Sequence, residues 1–419
     1  MKTGGRIALP GDKSISHRAL ILGAISEGRS EVTGILRSAD VRSTASVLRS
    51  LGVEISDLDA PVVSVEGTGR RGMRAPSADL DAGNSGTTTR LMAGVLAAQR
   101  FRARMVGDAS LSRRPMGRIS KPLTAMGAGF AFSHGDGLPM AISGGDLRGL
   151  TWRPEVASAQ VKSAILLAGY CGDVPVEVHE PSATRDHTER MMRARGADVR
   201  VEGTSVSFLP GRAMPATPTA VPGDPSSAAF FAGLAALAES GEVELPGVCV
   251  NPGRVGAFSV LERMGARLRY DGLREDGGEP VATLYAAPAA LRGVTIEPDE
   301  VPSLIDELPL LACVAARAEG ETRVTGAAEL RVKESDRIAL VVANLRSVGA
   351  EAHELPDGFV VRGSGRPLAG SVVTRGDHRI AMAFGVLGAA TGGDIAIDDP
   401  DCAGVSYPSF WAELAKVTR

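Results

Sequence analysis

The feature that most constrains the fold is an internal repeat of about 70 residues. One signature is a helical segment that ends in a glycine and runs into a strand-like pair, as in PLTAMGAGF and VLERMGARL. Glycine just past a helix adopts the left-handed conformation that other residues resist. Each copy therefore predicts the end of an amphipathic helix and the start of a strand. The glycines are Gly52, Gly127, Gly196, Gly265 and Gly349.

A second series of helices alternates with the first, and these helices are apolar on nearly all sides. Helices of this kind must be buried, and a strand-like run follows each. They span residues 16–28, 86–99, 158–171, 226–241, 306–320 and 378–393. The sequence thus predicts six units of strand, apolar helix, strand, amphipathic helix and strand, the sixth ending in FWAELAKV. A chain of 419 residues exceeds one core, so six units favour two domains of three, with helices packed inside sheets. An open-sheet α/β protein is the alternative.

Composition argues against several classes of protein. A net charge of −3 gives no general attraction to nucleic acid or anionic membranes, and every apolar run is shorter than a membrane span. The four cysteines form no C-x-x-C pair and the six histidines show no metal-ligand spacing, so we predict neither disulfides nor a metal. The N-terminus lacks the apolar stretch of a signal peptide. We expect a cytoplasmic protein.

The apolar helices carry unusual polar residues at their N-termini. The first begins DKSISHR, the second GNSGTTTR, the third ASAQVK, the fourth GDPSSA and the sixth GDHRIA. Helix N-termini present free N–H groups and a partial positive charge, so they bind anions. N-capping is the alternative explanation. It does not account for Lys13 together with Arg18, or for Asp377, His378 and Arg379 in a row.

Two further cationic segments lie outside these helices. GDASLSRRPMGR places Arg113 and Arg114 just before a proline. ELRVKESDRI, residues 329–338, is by itself more typical of a solvated face held by ion pairs. GDKS does not fit a Walker loop, and GNSG does not fit a serine-hydrolase elbow. The sequence therefore predicts a site for anions, without support for a nucleotide or an acyl-enzyme.

Five motifs in this order, LPGDKSISHRALILGA, GNSGTTTRLMAG, RRPMGR, LRVKESDRI and GDHRIAMAFG, resemble those of the 5-enolpyruvylshikimate-3-phosphate synthase family. The resemblance runs from residue 7 to residue 411. It implies an α/β (α+β) fold, a two-lobed inside-out barrel of six βαβαββ repeat units with three per lobe. It implies a first lobe of residues 1–12 plus 226–419, a second lobe of residues 13–225, and a monomer.

The resemblance also implies a reaction. Members of this family transfer the enolpyruvyl group of phosphoenolpyruvate to the 5-hydroxyl of shikimate 3-phosphate and release phosphate. They work by addition and elimination through a tetrahedral adduct, without a cofactor, in the shikimate pathway of aromatic amino acid biosynthesis. Each substrate carries a phosphate and a carboxylate, so several cations and helix N-termini must converge on one site. The implied partners are these small molecules, with no nucleic acid and no membrane.

Site residues carry over motif by motif. For shikimate 3-phosphate the resemblance implies Lys13, Ser14, Arg18, Ser158, Gln160, Arg185, Asp306 and Lys333. For phosphoenolpyruvate it implies Lys13, Asn84, Gly86, Thr87, Arg114, Gln160, Arg337, His378 and Arg379. For catalysis it implies Asp306 as the base toward the 5-hydroxyl, and Glu334 or Lys13 as the group that moves the proton at the methylene carbon. Without the resemblance, Asp306 would be interpreted as an N-cap.

The chain departs from the family pattern at two positions. Val405 stands where many members carry a lysine that contacts phosphoenolpyruvate, and Ala159 replaces a common serine. Gly86 stands where some herbicide-tolerant members carry alanine, so we expect glyphosate to enter the site. No inhibition at millimolar glyphosate would contradict that expectation.

Three alternative functions remain open from the sequence. A UDP-N-acetylglucosamine enolpyruvyl transferase usually has a reactive cysteine in the loop matching residues 107–118, and none of the four cysteines lies there. A catalytically silent paralogue that binds phosphorylated metabolites is favoured only by Val405. A nucleic-acid end-processing enzyme would need a broad basic surface, which the net charge disfavours.

Overall fold

The computed structural model describes residues 1–392 and 394–418, and this part of the chain forms thirteen α-helices and twenty-one strands. The helices are α1 Lys13–Ile25, α2 Ala39–Ser50, α3 Gly86–Ala97, α4 Ala109–Ser112, α5 Gly117–Met126, α6 Ala159–Gly172, α7 His187–Ala194, α8 Pro225–Leu237, α9 Gly256–Met264, α10 Leu308–Ala315, α11 Arg337–Ser347, α12 His378–Thr391 and α13 Phe410–Val417.

The strands of the first three repeats are β2 Glu27–Thr33, β3 Val62–Thr68, β4 Leu80–Asp81, β5 Arg102–Val106, β6 Gly129–Phe132, β7 Met140–Ser143, β8 Leu150–Trp152, β9 Val176–His179, β10 Asp198–Glu202, β11 Ser205–Leu209 and β12 Thr219–Ala220. Those of the last three are β1 Gly5–Arg6, β13 Val243–Cys249, β14 Arg267–Asp276, β15 Glu279–Ala287, β16 Thr295–Ile296, β17 Glu321–Val324, β18 Glu351–Leu355, β19 Gly358–Arg362, β20 Gly370–Val372 and β21 Ile395–Ile397.

The strands of the described residues form six sheets, one for each repeat. In the second repeat β4 pairs parallel with β5 across α3, and β5 then pairs antiparallel with β7 of the hairpin β6–β7. This βαβαββ order recurs through the fifth repeat, the fourth taking β1 from the N-terminus as its first strand. The first repeat takes β12 as its first strand and reduces one hairpin strand to the single bridge Ile55–Val65. The sixth keeps only β20 and β21 within the described residues. The predicted repeats are confirmed, and the open-sheet alternative is wrong.

The five repeat glycines end the amphipathic helices as the sequence predicts. Helices α2, α5, α7, α9 and α11 each stop one or two residues before one of them. The φ angles are +87° at Gly52, +119° at Gly127, +80° at Gly196, +108° at Gly265 and +90° at Gly349. A Cβ is disfavoured at such angles, so this residue type fixes where each helix gives way to a strand.

The apolar helices pack against each other at the centre of each group of three repeats. Helix α3 contacts α1 and α6, and α8, α10 and α12 contact one another. Strands such as β5 and β17 alternate between buried and exposed residues, so the helices lie inside and the sheets outside. Helix α10 is shorter than predicted because a 3₁₀ turn, Ile305–Glu307, precedes it and Pro309 lies in its first turn.

The chain divides into two compact lobes. Lobe 1 comprises Met1–Pro10, Pro222–Arg274 and Pro280–Arg419, and lobe 2 comprises Gly11–Val221 and Glu275–Glu279. The division expected from the sequence, after residues 12 and 225, stays a prediction. None of the helices in the described part of the chain is both long and apolar enough to cross a lipid bilayer.

Candidate active site

Four of the six apolar helices are capped by their own side chains. Each cap accepts a hydrogen bond from a backbone N–H of the first turn, which satisfies one of the free donors there. The capping residues are Asp12, Ser85, Asp224 and Asp377. Ser158 precedes α6 and makes no such bond. The capping hypothesis thus explains one residue in four of the six helices and leaves the neighbouring cations to be explained.

Near the start of α1, in lobe 2, Lys13 and His17 each contact a residue of α2. Lys13 Nζ lies 3.2 Å from Asp40 Oδ2 and is partly exposed. His17 is fully buried, and its Nδ1 lies 2.6 Å from Thr44 Oγ1, which is itself 2.6 Å from Thr88 Oγ1. Burial lowers the pKa of His17 to about 3, against the opposing charge of Asp40. A neutral ring therefore links α1, α2 and α3.

Arg18, one residue further, points its guanidinium between α6 and α7. It is 4% exposed and donates to Thr188 Oγ1, Ser163 Oγ and the Ser14 carbonyl. Burial lowers the pKa of Arg18 to about 10, and the charge of half-buried Arg185 contributes to that lowering. Of the residues predicted for shikimate 3-phosphate, Ser14, Arg18 and Arg185 are thus grouped in lobe 2.

At the N-terminus of α3 lie Asn84 and Arg114, two of the residues that the sequence predicts for phosphoenolpyruvate. Arg114 Nη2 donates to Asn84 Oδ1 at 2.8 Å, and Asn84 Nδ2 donates to Asp108 Oδ2 at 2.6 Å. A methyl group on Gly86 would lie 3.4 Å from Arg114 Nη1. Gly86 therefore keeps the space beside this guanidinium open.

Arg90 joins the same cluster, although sequence reasoning missed it. Its Nη1 donates to Gln160 Oε1 at 2.6 Å, and Gln160 Nε2 donates to Thr87 Oγ1 at 3.1 Å. A methyl group on Gly86 would lie 3.3 Å from Arg90 Nη1. The available signal was the spacing in GTTTR, since residues four apart share one face of a helix.

In lobe 1, Arg337 is the centre of a group of three carboxylates. Its guanidinium is 1% exposed and lies 2.9 Å from Asp377, 2.7 Å from Glu334 and 3.5 Å from Asp306. Burial alone would lower the pKa of Arg337, but the carboxylates, Asp377 first, raise it above its usual value. The pKa of Asp377 is held below its usual value, because the charges of Arg337 and His378 outweigh its burial.

Asp306 belongs to this group and not to the N-terminus of α10. It lies on the 3₁₀ turn before that helix, where no side chain caps α10, and its Oδ1 is 3.6 Å from Lys333 Nζ. The N-cap interpretation of Asp306 is therefore wrong. The solvated-face interpretation of residues 329–338 holds for Arg331, which pairs with Asp336 and Glu354 at the surface, but not for buried Arg337.

Arg379 has a buried carboxylate partner that the sequence did not reveal. Its Nη1 lies 3.4 Å from Glu307 Oε1, and both side chains are at least nine-tenths buried. Glu307 directly follows Asp306, so two adjacent carboxylates of one 3₁₀ turn face cations from two different helices. His378, the first residue of α12, is also buried.

The two departures from the family pattern lie at element ends. Ala159 is the first residue of α6, after half-buried Ser158. Val405 ends the 3₁₀ helix Pro400–Val405 and is half-buried. Among the described residues, no group of three or more His, Cys, Asp or Glu side chains could hold a metal ion.

The fold is that of the enolpyruvyl transferases, and in each lobe cationic side chains lie close to the N-termini of apolar helices. The enolpyruvyl transferase NikO of Streptomyces tendae shares the fold, with a TM-score of 0.78 and 18% identity over 99% of this chain and 95% of that one. An EPSP synthase structure from Acinetobacter baumannii gives a TM-score of 0.89 and 44% identity, covering 99% and 95% of the two chains.

Sequence comparison narrows the class. Residues 2–414 match the family model described as EPSP synthase (3-phosphoshikimate 1-carboxyvinyltransferase). A 3-phosphoshikimate 1-carboxyvinyltransferase of Acidithiobacillus ferrooxidans is 49% identical over 98% of this chain and 94% of its own length. One from a Sulfurihydrogenibium species is 47% identical over 99% and 97%. The chain belongs to the EPSP synthase family. It is an enzyme, a transferase of the shikimate pathway, so the predicted family and fold class are confirmed over the alternatives.

Proposed function

We propose that this chain transfers the enolpyruvyl group of phosphoenolpyruvate to the 5-hydroxyl of shikimate 3-phosphate, with release of phosphate. The observation that carries the proposal is the cluster at the N-terminus of α3. There Arg90 and Arg114 flank Gly86, whose missing side chain leaves room beside two guanidiniums and the first backbone N–H groups of a helix. Such a place suits a phosphate or a carboxylate.

We assign the two substrates to the clusters of polar side chains described above, one lobe at a time. In lobe 2 we assign shikimate 3-phosphate to Lys13, Ser14, Arg18, Ser158, Gln160 and Arg185, and phosphoenolpyruvate to Lys13, Asn84, Gly86, Thr87, Arg114 and Gln160. In lobe 1 we assign the first substrate to Asp306 and Lys333, and the second to Arg337, His378 and Arg379. The cations match the phosphate and carboxylate that each substrate carries.

Asp306 acts as the base in the addition step. It takes the proton of the 5-hydroxyl while that oxygen bonds to the central carbon of phosphoenolpyruvate, and Glu334 or Lys13 gives a proton to the methylene carbon. The tetrahedral adduct then loses a proton from the new methyl group and expels phosphate, which restores the double bond. Lys333 Nζ and Arg337 Nη1 lie 3.6 and 3.5 Å from Asp306 Oδ1, close enough to balance a carboxylate charge in an anionic site.

Three further properties of the enzyme, its location, oligomeric state and partners, accompany the reaction. We propose that the enzyme is cytoplasmic and monomeric, with small-molecule substrates as its partners. We also propose that Val405 makes no charged contact with phosphoenolpyruvate, so that only arginines and Lys13 supply positive charge to this substrate. Glyphosate should inhibit the enzyme in competition with phosphoenolpyruvate, because Gly86 leaves the space beside Arg90 and Arg114 open.

Phosphate release tests the proposal directly. Release should require both shikimate 3-phosphate and phosphoenolpyruvate, and Lys13→Ala should lower kcat/KM by at least about 100-fold, as for other lost electrostatic contacts to a transition state. Lys121→Ala, at an exposed lysine of lobe 2, is the matched control and should keep wild-type activity. Folded protein that releases no phosphate would favour the non-catalytic binder, and release with UDP-N-acetylglucosamine in place of shikimate 3-phosphate would favour the other transferase.

A further inference from the structure

Two buried hydroxyl groups hold the guanidinium of Arg18 in lobe 2. Arg18 Nε donates to Thr188 Oγ1 at 2.7 Å, and its Nη2 donates to Ser163 Oγ at 2.9 Å. The two hydroxyl oxygens lie 2.7 Å from each other, so they meet one edge of the planar group. Thr188 and Ser163 are both fully buried.

A third bond fixes the remaining freedom of the guanidinium. Arg18 Nη1 donates to the Ser14 carbonyl, one turn earlier on α1, at 3.0 Å. An arginine guanidinium carries five N–H donors. The three hydrogen bonds use three of these donors, and the described residues offer no acceptor for the other two. The side chain is held in one orientation and keeps donors for an anion.

The two helices that carry these hydroxyl groups, α6 and α7, are joined by a group of buried charges. Lys162 Nζ lies 2.6 Å from Glu180 Oε2 and 2.8 Å from Glu189 Oε1, and all three side chains are almost completely buried. Lys162 precedes Ser163 on α6, and Glu189 follows Thr188 on α7. Although burial opposes it, the two carboxylates raise the pKa of Lys162. This ion group holds α6 and α7 together where their hydroxyls meet.

The chemistry of the partners distinguishes Arg18 from Arg337 and Arg379, the two buried arginines assigned to the site in lobe 1, each of which pairs with at least one carboxylate. Arg337 faces three carboxylates, which neutralise it. Arg18 is hydrogen-bonded by two hydroxyls and a carbonyl, which orient it without cancelling its charge. Burial lowers its pKa, and that lowering is opposed, without a hydrogen bond to it, by the charges of Glu189, Asp12 and Glu279. An anionic ligand then meets a full positive charge that has already lost its conformational freedom, which is how preorganisation raises affinity.

From this arrangement we infer that Thr188 and Ser163 are positioning residues that hold Arg18, still fully charged, for an anionic group of shikimate 3-phosphate. The inference rests on the proposed function, which assigns Arg18 to that substrate. It adds two residues that do not themselves touch the ligand.

The chain offers a matched control for a purely structural role. Elsewhere in lobe 2, buried Arg195 donates to buried Thr219 Oγ1 at 2.7 Å. Burial lowers the pKa of Arg195 to about 10, as it does for Arg18. Thr219→Val therefore removes the same kind of bond, at a similar loss of stability, from an arginine with no assigned ligand.

The experiment compares Thr188→Val, Thr188→Ser, Ser163→Ala and Thr219→Val by calorimetric titration with shikimate 3-phosphate, thermal unfolding and steady-state kinetics. Thr188→Val should raise the Kd for shikimate 3-phosphate about tenfold, the effect of losing one charged hydrogen bond. Thr188→Ser keeps the hydroxyl and should stay within about twofold of wild type. Thr219→Val should lower Tm as much as Thr188→Val but leave the Kd unchanged. The KM for phosphoenolpyruvate at saturating shikimate 3-phosphate should not move in any of the four.

Two results would overturn the inference. One is a wild-type Kd in Thr188→Val with a lowered Tm, which would show that the hydroxyl serves the fold alone. If Thr188→Val does not fold, an unchanged Kd in Ser163→Ala has the same meaning. The other is a wild-type Kd in Arg18→Ala, which removes Arg18 from the site while phosphate release by the wild type still upholds the proposed function. A wild-type protein that neither binds shikimate 3-phosphate nor releases phosphate would instead overturn the proposed function.

Discussion

His17 is a residue whose burial sets how stability depends on pH. The pKa of its ring falls from its usual 6.5 to about 3 in the folded chain. Between these two pH values the unfolded chain binds more protons than the folded one, so the free energy of unfolding falls as the pH is lowered. From pH 7.5 to pH 5.0 we expect His17 to account for a loss of about 2 kcal/mol. Urea unfolding at the two pH values measures it.

The contribution of His17 is isolated by two variants. His17→Asn keeps a polar group near Thr44 but cannot take up a proton, so its urea midpoint should fall less between pH 7.5 and pH 5.0 than that of wild type. His134→Asn, at an exposed turn of lobe 2, should behave as wild type. Equal losses in wild type and His17→Asn would contradict the prediction.

The residues of the site divide into those the sequence reveals and those it does not. Lys13 and Arg379 are identifiable because they stand in recognisable motifs at helix starts, and Arg114 because it stands in the motif RRPMGR. Glu307 is not, because it is defined by its partner Arg379, about 70 residues away along the chain. The spacing of Arg90 from Gly86 places both on one face of α3, but its partner Gln160, also about 70 residues away, is not predictable from that spacing. Such pairs depend on how neighbouring repeats pack, and no local pattern encodes that packing.

At the scale of elements, α3 and α6 approach so closely that one glycine is required between them. A Cβ on Gly94 would lie 2.2 Å from the carbonyl oxygen of Ala164 on α6. Gly94→Ala should therefore push the helices apart and lower the free energy of unfolding by about 3 kcal/mol, the upper range for an overpacked core. Chemical denaturation measures the change.

At Gly388 on α12 we expect the same glycine-to-alanine substitution to have the opposite effect on stability. A Cβ there would meet Ile395 at an ordinary contact distance of 3.4 Å. Gly388→Ala should then raise the free energy of unfolding by about 0.5–1 kcal/mol, because alanine is the better helix former. Equal changes in the free energy of unfolding at the two positions would show that helix propensity, and not the close approach of α3 to α6, determines the effect of the added methyl group.

The elements themselves could largely be predicted from the sequence. Apolar periodicity located all six central helices, and the repeat glycines located the ends of five amphipathic ones. Their bounds were less predictable, as α10 shows: Pro309 and the preceding 3₁₀ turn shorten a segment that is apolar throughout. Hydrophobic pattern reports burial, whereas local backbone geometry decides where a helix begins.

At the scale of the whole molecule, the main segment of lobe 2, Gly11–Val221, is an insertion whose two ends lie together. A Cβ on Gly11 would lie 3.0 Å from Val221 Cγ1, so the residues at which the chain enters and leaves the lobe are in contact. In lobe 1 the ends that flank the insertion are also joined, since Asp224 N donates to the Pro10 carbonyl at 2.9 Å. Adjacent ends are what allows one domain to be inserted into another without disturbing either core.

The inserted lobe should therefore fold when it is excised. A fragment of residues 11–221 retains α1, α3 and α6 with their three sheets, so we expect native-like circular dichroism and one cooperative thermal transition. Its Tm should lie below that of the full chain, because it lacks Glu279, whose Oε1 lies 2.7 Å from buried His187 Nδ1. A fragment of equal length, residues 27–237, loses α1 and gains α8 of lobe 1, and should not fold because one of its three central helices is missing. Equal behaviour of the two fragments would mean that the lobe is not an independent folding unit.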